Sequence, residues 1–561
     1  MPRRLSSIPG SEVVWLLELR FGGRDFRWAT DHISLSNASG DSLDFSGSLD
    51  LGNYSESLDR FTHTADAQSV SLEVVFDDIS VASQVSKGYH LGAVEGEISI
   101  VQVLDGSPQQ TYEQRSIVAR GSVADPQFGQ PDRPEGYMAF TLEGLLIEDS
   151  GQFLSPTHAV TEDTFGSLPA WSDSNPHIDK PYPIVFGRPG RYRKADSDGT
   201  VTSTDGSPAY ILELQPPGGT EDKTGSLVIA GHHVVASSVR VKAERTGETH
   251  VIFNSYDNLG RPVAINDYSD IDGSGTNSSF SNAVLEEREW WIGWTRSGGY
   301  GIENPWHSGQ GLARAGDLIR WALTYSTLPV DWGAWQAASD TLNAYEFSGY
   351  ITERVTPWDW LQPLLELLPV TVRRGVDGIY PILHDTGSDA SRAVKLTTSP
   401  DFQRTSPVQI EGNIQDIYNR IEIHHAYSGK NNAARTYSAL GQFESYDFEP
   451  ETGSNSIVRR SEDRHGSRLL SKECAYLYER ATADRICHDL SRRHALFSRT
   501  VQYRAAQSYV WLELGDLVAI TDSDLGYSDQ VAQIIARAWD GDSWIFTIVI
   551  DQDPERDTLG S

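Results

Sequence analysis

Cysteine is nearly absent from this 561-residue sequence: Cys474 and Cys487 are the only two. A disulfide scaffold is therefore excluded. Methionine also occurs twice, and lysine only eight times, so the positive charge is almost all arginine. Positive charge is itself in deficit. The 46 Lys and Arg face 78 Asp and Glu, a formal net charge of −32. Such a chain does not wrap nucleic acid through a basic face, nor hold an anionic membrane by charge alone. No apolar run reaches the roughly 20 residues of a membrane span. Met1-Pro2-Arg3-Arg4-Leu5 opens no apolar stretch of secretory-signal type. The expectation is a protein made and kept in a cytoplasm, unless something other than a signal peptide carries it out.

What is present is an ordinary globular composition. Hydrophobic residues make up 38%, aromatics 10% and charged residues 22%, which excludes long-range disorder. At roughly 150 residues per domain, three to four domains are expected. No internal repeat of fixed short period is visible.

The first 150 residues read as strands. Val13–Phe21 is a long apolar run, and Phe26–Thr30 follows a Gly22-Gly23 turn. Ser69–Phe76 and Gly96–Val103 alternate with period two; Ile117–Val123 and Tyr137–Leu142 complete six or seven strands. That spacing predicts a sandwich or barrel. Residues 153–305 begin as a Pro-rich connector (Pro156, Pro169, Pro176, Pro181, Pro183, Pro189) and continue as a second β region. Residues 306–390 are mixed and helical. Ala315–Tyr325 places Leu318, Ile319, Ala322 and Leu323 on one face, and Asp331 caps a helix over Trp332–Leu342. Thr356, Pro357 and Asp359 form an N-cap, a Pro at N1 and an acid at N3 for a helix over Trp358–Leu368. Residues 391–561 return to β with one long helix, Lys472–His494, then strands at Val501–Tyr503, Tyr509–Leu514, Asp516–Thr521, Val531–Trp539 and Trp544–Ile550. The fold class is mainly β, multidomain α+β. Barrel or sandwich domains lie at both ends (1–152 and 391–561), with a helical insert in the middle.

The candidate chemistry is thin. There is no GxSxG, P-loop or HExxH, and no catalytic, cofactor or metal residue is assigned. His232-His233 and His424-His425 are sequence neighbours, which point to opposite faces of a strand and cannot chelate one metal from it. Cys487 and His494 lie two helical turns apart, too far for a dyad; Cys474 and Cys487 read as buried, inert thiols. Asp196-Ser197-Asp198, Asp267–Asp272 and Asp522–Asp529 are acidic clusters that match no Ca²⁺ loop and read as solvated turns. Glu286–Trp294 (EEREWWIGW), with Trp306, is the one enzyme or sugar-binding hint. It makes Glu286, Glu287 and Glu289 candidate carboxylates of a polysaccharide- or peptidoglycan-degrading enzyme. Trp291, Trp294 and Trp306 are the candidate groove of a receptor-binding module. Core Trp packing is the competing reading.

The order of segments carries more. Gly121–Pro126 and Met138–Leu142 end a β domain, and Tyr182–Gly187 ends the connector. Ala315–Arg320, Gly349-Tyr350-Ile351 and Trp358–Leu368 follow; then Ile417–Ile421, the long helix and Leu514-Gly515-Asp516-Leu517-Val518. This order resembles the tail hub proteins of tailed bacteriophages and gene transfer agents. It is also similar to the hub portion of long-tailed phage host-specificity proteins. The resemblance implies a homotrimer in which each subunit supplies two tube-like β-barrels. Six barrels would then dock a sixfold tail tube onto a threefold tip. It implies as partners a distal tail protein or tail-tube ring, the tape measure protein, and tip or central fibre proteins. Viral DNA would pass through the lumen without specific binding; an acidic lining would repel its phosphates. The implied place is the distal tail tip of a virion assembled in the host cytoplasm. No fibre-like C-terminal extension and no lysozyme-like insert is recognised, so receptor binding is expected of a separate protein and a built-in cell-wall hydrolase is not expected.

Overall fold

A computed structural model describes residues 12–21, 23–59, 64–65, 69–75, 94–130, 133–144, 180–193, 200–202, 206–214, 224–228, 230–232, 234, 239–243, 249–250, 290–294, 299–375, 378–384, 393–411, 417–440, 454–495 and 497–550. The chain is mainly β, and among the described residues the α-helices lie after residue 314. Among the described residues no helix is long and apolar enough to cross a membrane.

Among the described residues, nine strands of four or more residues build the N-terminal region: β1 (Glu12–Phe21), β2 (Arg24–Ala29), β3 (Ile33–Ser36), β4 (Ser42–Phe45), β5 (Leu49–Asp59), β6 (Ser69–Val75), β7 (Glu95–Leu104), β8 (Ser116–Gln130) and β9 (Arg133–Gly144). Seven pair in the order β2-β1-β7-β8-β9-β6-β5. Residues 46–48 close the ring. Ala29 N donates to Ser46 O at 2.7 Å on the β2 side, and Val75 N donates to Ser48 O at 3.0 Å on the β6 side. The β3–β4 hairpin covers the outer face of β1 and β7, where Val14, Leu16, Val101 and Val103 pack with Leu35 and Phe45. β1 is thus buried on both faces, which is why it reads as one apolar run rather than an alternation.

The middle of the chain holds α1 (Ala315–Leu323), α2 (Trp332–Leu342), α3 (Pro357–Leu365) and the hairpin β10 (Val370–Gly375)–β11 (Gly378–Leu383). The expected caps form: Asp331 Oδ1 accepts from Ala334 N at 2.9 Å, and Thr356 Oγ1 from Asp359 N at 3.0 Å. Leu318, Ile319, Ala322 and Leu323 are buried as expected.

The remainder runs through β12 (Val394–Thr397), β13 (Phe402–Arg404), β14 (Arg420–Ser428), β15 (Ala433–Leu440), α4 (Ser454–His465), β16 (Leu469–Glu473), α5 (Arg480–His494), β17 (Ser498–Ala505), β18 (Leu517–Asp522), β19 (Tyr527–Trp539) and β20 (Trp544–Ile550). Six strands pair as β13-β17-β20-β19-β18-β12. This sheet curls until its ends meet. Asp522 at the end of β18 takes Arg404 of β13 at 3.2 Å and the Tyr503 hydroxyl of β17 at 3.1 Å.

The two β modules are one sheet. β5 pairs antiparallel with β19 over Tyr54↔Trp539, Ser55↔Ala538, Glu56↔Arg537 and Ser57↔Ala536. A second core gathers Phe186, Trp335 and Trp360 with Ile421, Ile423, Ile486 and Leu490. The three-stranded sheet β15-β14-β16 and helix α5 therefore pack on the helical middle region.

Three local expectations are corrected. The pattern over Lys472–His494 is two elements: β16 up to Glu473, then a turn, then α5 from Arg480. Cys474, Leu477, Ile486 and Leu490 are buried as expected, whereas Ala481 is exposed. The expected strand Tyr509–Leu514 is a 3₁₀ turn at Gln507–Tyr509 followed by an irregular segment. Its carbonyls at Val510 and Leu512 accept from the Arg537 guanidinium rather than from a strand. Helix α4 was not expected, because Ile457 and Val458 are its only apolar residues.

Candidate functional site

The seam between the two β modules is the best-built polar site in the described chain. β5 delivers Glu56 to it by alternation, since Tyr54, Glu56 and Leu58 all point inward. Glu56 is buried and accepts from two buried arginines, Arg373 of β10 and Arg537 of β19. These partners lie 317 and 481 residues away in sequence. Burial lowers the pKa of each guanidinium, and the Glu56 charge more than restores it, so both stay charged. Arg537 also donates to the Tyr54 hydroxyl at 2.8 Å. Burial drives that hydroxyl far above its ordinary range, so Tyr54 stays neutral.

Aromatic packing surrounds this charge. Trp15 of β1 meets Trp539 and Trp544 at ring distances of 5.3 and 5.8 Å, and Tyr54 meets Trp544 edge-on at 5.5 Å. The ladder, the ion triad and this cluster together fix one module against the other. The Leu514–Val518 segment supplies the next layer. Gly515 sits at φ +87°, and a Cβ there would come within 2.3 Å of Ile382 Cγ2. Only glycine lets this turn lie flat on β11. Gln533 Nε2 bridges the carbonyls of Leu383 (2.7 Å) and Gly515 (3.0 Å).

The chemistry available here is structural. The seam cavity, lined by Ser116, Ile117, Val118, Val510, Trp511, Glu513 and Arg537, holds about 10 Å³. That is about one water, against the several hundred Å³ of a ligand pocket. Sequence reasoning missed Glu56, Arg373 and Arg537. The only local signal was the inward spacing of Tyr54, Glu56 and Leu58.

The sequence candidates are scattered. His424 and His425 do lie on opposite faces. His424 packs on the Tyr437 ring at 5.6 Å, and His425 is fully buried. His232 Nε2 accepts from Val185 N at 2.9 Å, a backbone tie; His233 lies outside the described residues. Burial pushes the Cys474 and Cys487 thiols up to about 12. The Asp522–Asp529 cluster holds no open carboxylate cage: Arg404 takes Asp522 and Asp524, and Lys395 takes Asp529 at 3.2 Å. Trp291 packs edge-on against Tyr350, and Trp306 lies under the Arg320 guanidinium at 4.2 Å. Trp294 lies in the strand Trp290–Trp294, its side chain outside the described set. Glu286, Glu287, Glu289, Asp196, Asp198 and Asp267–Asp272 also lie outside the described residues. Among the described residues no group of three or more His, Cys, Asp or Glu is placed to hold a metal ion.

No family model matches the sequence, and no curated protein matches it. Solved structures do. A tail protein from Neisseria meningitidis aligns over 96% of this chain and 97% of its own, at 10% identity and a TM-score of 0.34. A 43 kDa prophage tail protein from Shewanella oneidensis aligns over 96% and 99%, at 9% identity and a TM-score of 0.33. A prophage tail protein from Listeria monocytogenes aligns over 94% and 98%, at 10% identity and a TM-score of 0.29. TM-scores of this size do not by themselves establish a shared fold.

Proposed function

We propose that this chain is a structural, non-catalytic component of a phage-type tail, and within it the hub that closes the distal end of the tail tube. The observation that carries the reading is the pairing of two curled β modules, one from each end of the same chain, in a single hydrogen-bonded sheet. Such a subunit presents two tube-like modules in fixed relation. Three copies then present six, which matches a sixfold tube above and a threefold tip below. The segment order read in the sequence agrees with this. The net charge of −32 suits a channel wall that DNA must slide past rather than bind. On this reading the partners are two further copies, the distal tail ring, the tape measure protein and the tip proteins, and the place is the distal tail tip of a virion.

The test is the mass of the purified native protein in solution, with electron-microscope class averages of the same sample. A threefold ring with an axial hole is expected. A compact monomer that releases reducing sugar from host envelope would overturn the reading in favour of a tail-associated hydrolase.

A further inference from the structure

The N-terminal module has one outward face without a positive charge, on β5, β6 and β9. Tyr54, Val70, Leu72, Val74, Phe140 and Leu142 of these strands fill the core, so the residues between them face outward. Strand pairing sets the outward residues in rows. Asp50 stands opposite Glu73, and Glu73 opposite Ala139; Ser71 stands opposite Thr141; Ser55 stands opposite Ser69, and Ser69 opposite Glu143. Asp50, Glu73 and Glu143 are exposed, and among the described residues none of the three takes an ion pair. The residues between the acids are small, and residues 49–59, 69–75 and 138–144 contain no Lys or Arg. Like charges directly opposite each other on a sheet cost free energy, so a cation brought to Asp50 and Glu73 relieves them.

Helix α5 presents the opposite sign. Its buried side holds Ala483, Ile486, Cys487 and Leu490. Ala481, Arg485, His488 and Arg492 are exposed and recur at i, i+4, i+7 and i+11, which sets them in one stripe. The carboxylates of the helix are turned elsewhere. Asp484 takes Arg480 at 3.5 Å, and buried Asp489 accepts from the Tyr345 hydroxyl. Arg485 is steadied over the Tyr345 ring at 5.8 Å. The stripe therefore offers two guanidiniums and an imidazole, and no acid.

We propose that the acidic face of β5, β6 and β9 in one copy docks on the basic stripe of α5 in a second copy of this chain. Charge complementarity selects this occupant. The net charge of −32 repels both a second copy and duplex DNA at long range. At about 0.15 M salt that repulsion fades beyond about 8 Å, and the charges brought into contact decide. A second copy matches both faces, the stripe and the acids, whereas DNA matches only the stripe. The small residues between the acids let a helix lie close against the sheet. Two different faces make the contact head-to-tail, and such a contact closes into a ring when its rotation fits a whole number of copies. The inference rests on the reading of this chain as a ring-forming tail component, and it names the faces that meet.

Self-association of the purified full-length protein is followed by sedimentation velocity from about 0.1 M to about 0.5 M NaCl, and is expected to weaken roughly tenfold across that range. Arg485→Glu with Arg492→Glu is expected to weaken it about tenfold at the lower salt, and Asp50→Lys with Glu73→Lys to do the same. The two double variants move the net charge in opposite senses, so a loss common to both is not a net-charge effect. All four substitutions in one chain match the faces again with signs exchanged, and are expected to restore association. Association unchanged in both double variants overturns the contact while a threefold ring still stands, and so does a combined variant that folds but does not associate. A natural protein that stays monomeric at every salt concentration and releases no sugar from host envelope overturns the contact without overturning the tail reading. Duplex DNA held through the α5 stripe, by copies that do not associate, makes nucleic acid the occupant and overturns it too. Should one double variant not fold, the other and the natural protein's salt series still decide.

Discussion

Glu56 shows how much one residue can depend on distant ones. It is buried, it is charged, and both of its cationic partners come from beyond residue 370. Glu56→Gln removes the carboxylate that both buried guanidiniums donate to, and is expected to cost about 3–5 kcal/mol in chemical denaturation. Replacing all three together, as Glu56→Leu, Arg373→Met and Arg537→Met, is expected to cost less than that single change, because no buried charge is then uncompensated. His425 makes a second residue-scale prediction. Burial lowers its pKa from 6.5 to about 4, so the folded chain holds it neutral. A histidine depressed in this way contributes stability that is present above pH 6.5 and lost as pH falls toward 4. The shift corresponds to about 3 kcal/mol, and His425→Gln is expected to flatten that acid limb of a melting-temperature profile.

At the scale of elements, helix caps and turns were the most local signals and the most legible. Thr356, Pro357 and Asp359 marked the start of α3 because the cap bond spans only three residues. Thr356→Ala is expected to cost about 1 kcal/mol by thermal or chemical unfolding. The turn at Asp540-Gly541 between β19 and β20 is equally local, with Gly541 at φ +100°. β5 was not legible. Its inward positions include Glu56, and Gly52 and Asn53 interrupt the alternation, so LDLGNYSESLD reads as a polar loop. Segment 509–514 failed in the opposite sense: Trp511, Leu512 and Leu514 suggested a strand, but Arg537 claims its carbonyls. Gly515 reads as an ordinary turn glycine until Ile382 is placed against it. Gly515→Ala combines an unfavourable φ with a clash on β11 and is expected to lower the melting temperature more than Thr356→Ala does.

For the whole molecule, the consequence of the seam is that neither β module is complete alone. β5 closes the N-terminal ring on one edge and pairs with β19 on the other. Residues 1–152 expressed alone would expose that second edge together with the Trp15 face that Trp539 and Trp544 cover. An uncovered edge beside an apolar face invites pairing with another chain. The isolated segment is expected to self-associate in size-exclusion chromatography, and co-expression with residues 391–561 is expected to suppress this. A monodisperse monomer would show that the seam is not needed to satisfy β5.

The sequence by itself determined the element types over most of the described chain, the mainly β class with a helical middle, and the caps that start α2 and α3. Each of these is written within a few residues, as an alternation, a 3.6-residue stripe or a cap spacing. Only the tertiary structure decided that the two ends share one sheet, that α5 and the β14 sheet pack on the helical middle, and that Glu56 is an interior residue. Alternation specifies which face of a strand is buried, but not which edge it offers or to what. A buried charge, likewise, is indistinguishable from a surface one until the groups that neutralise it are brought beside it.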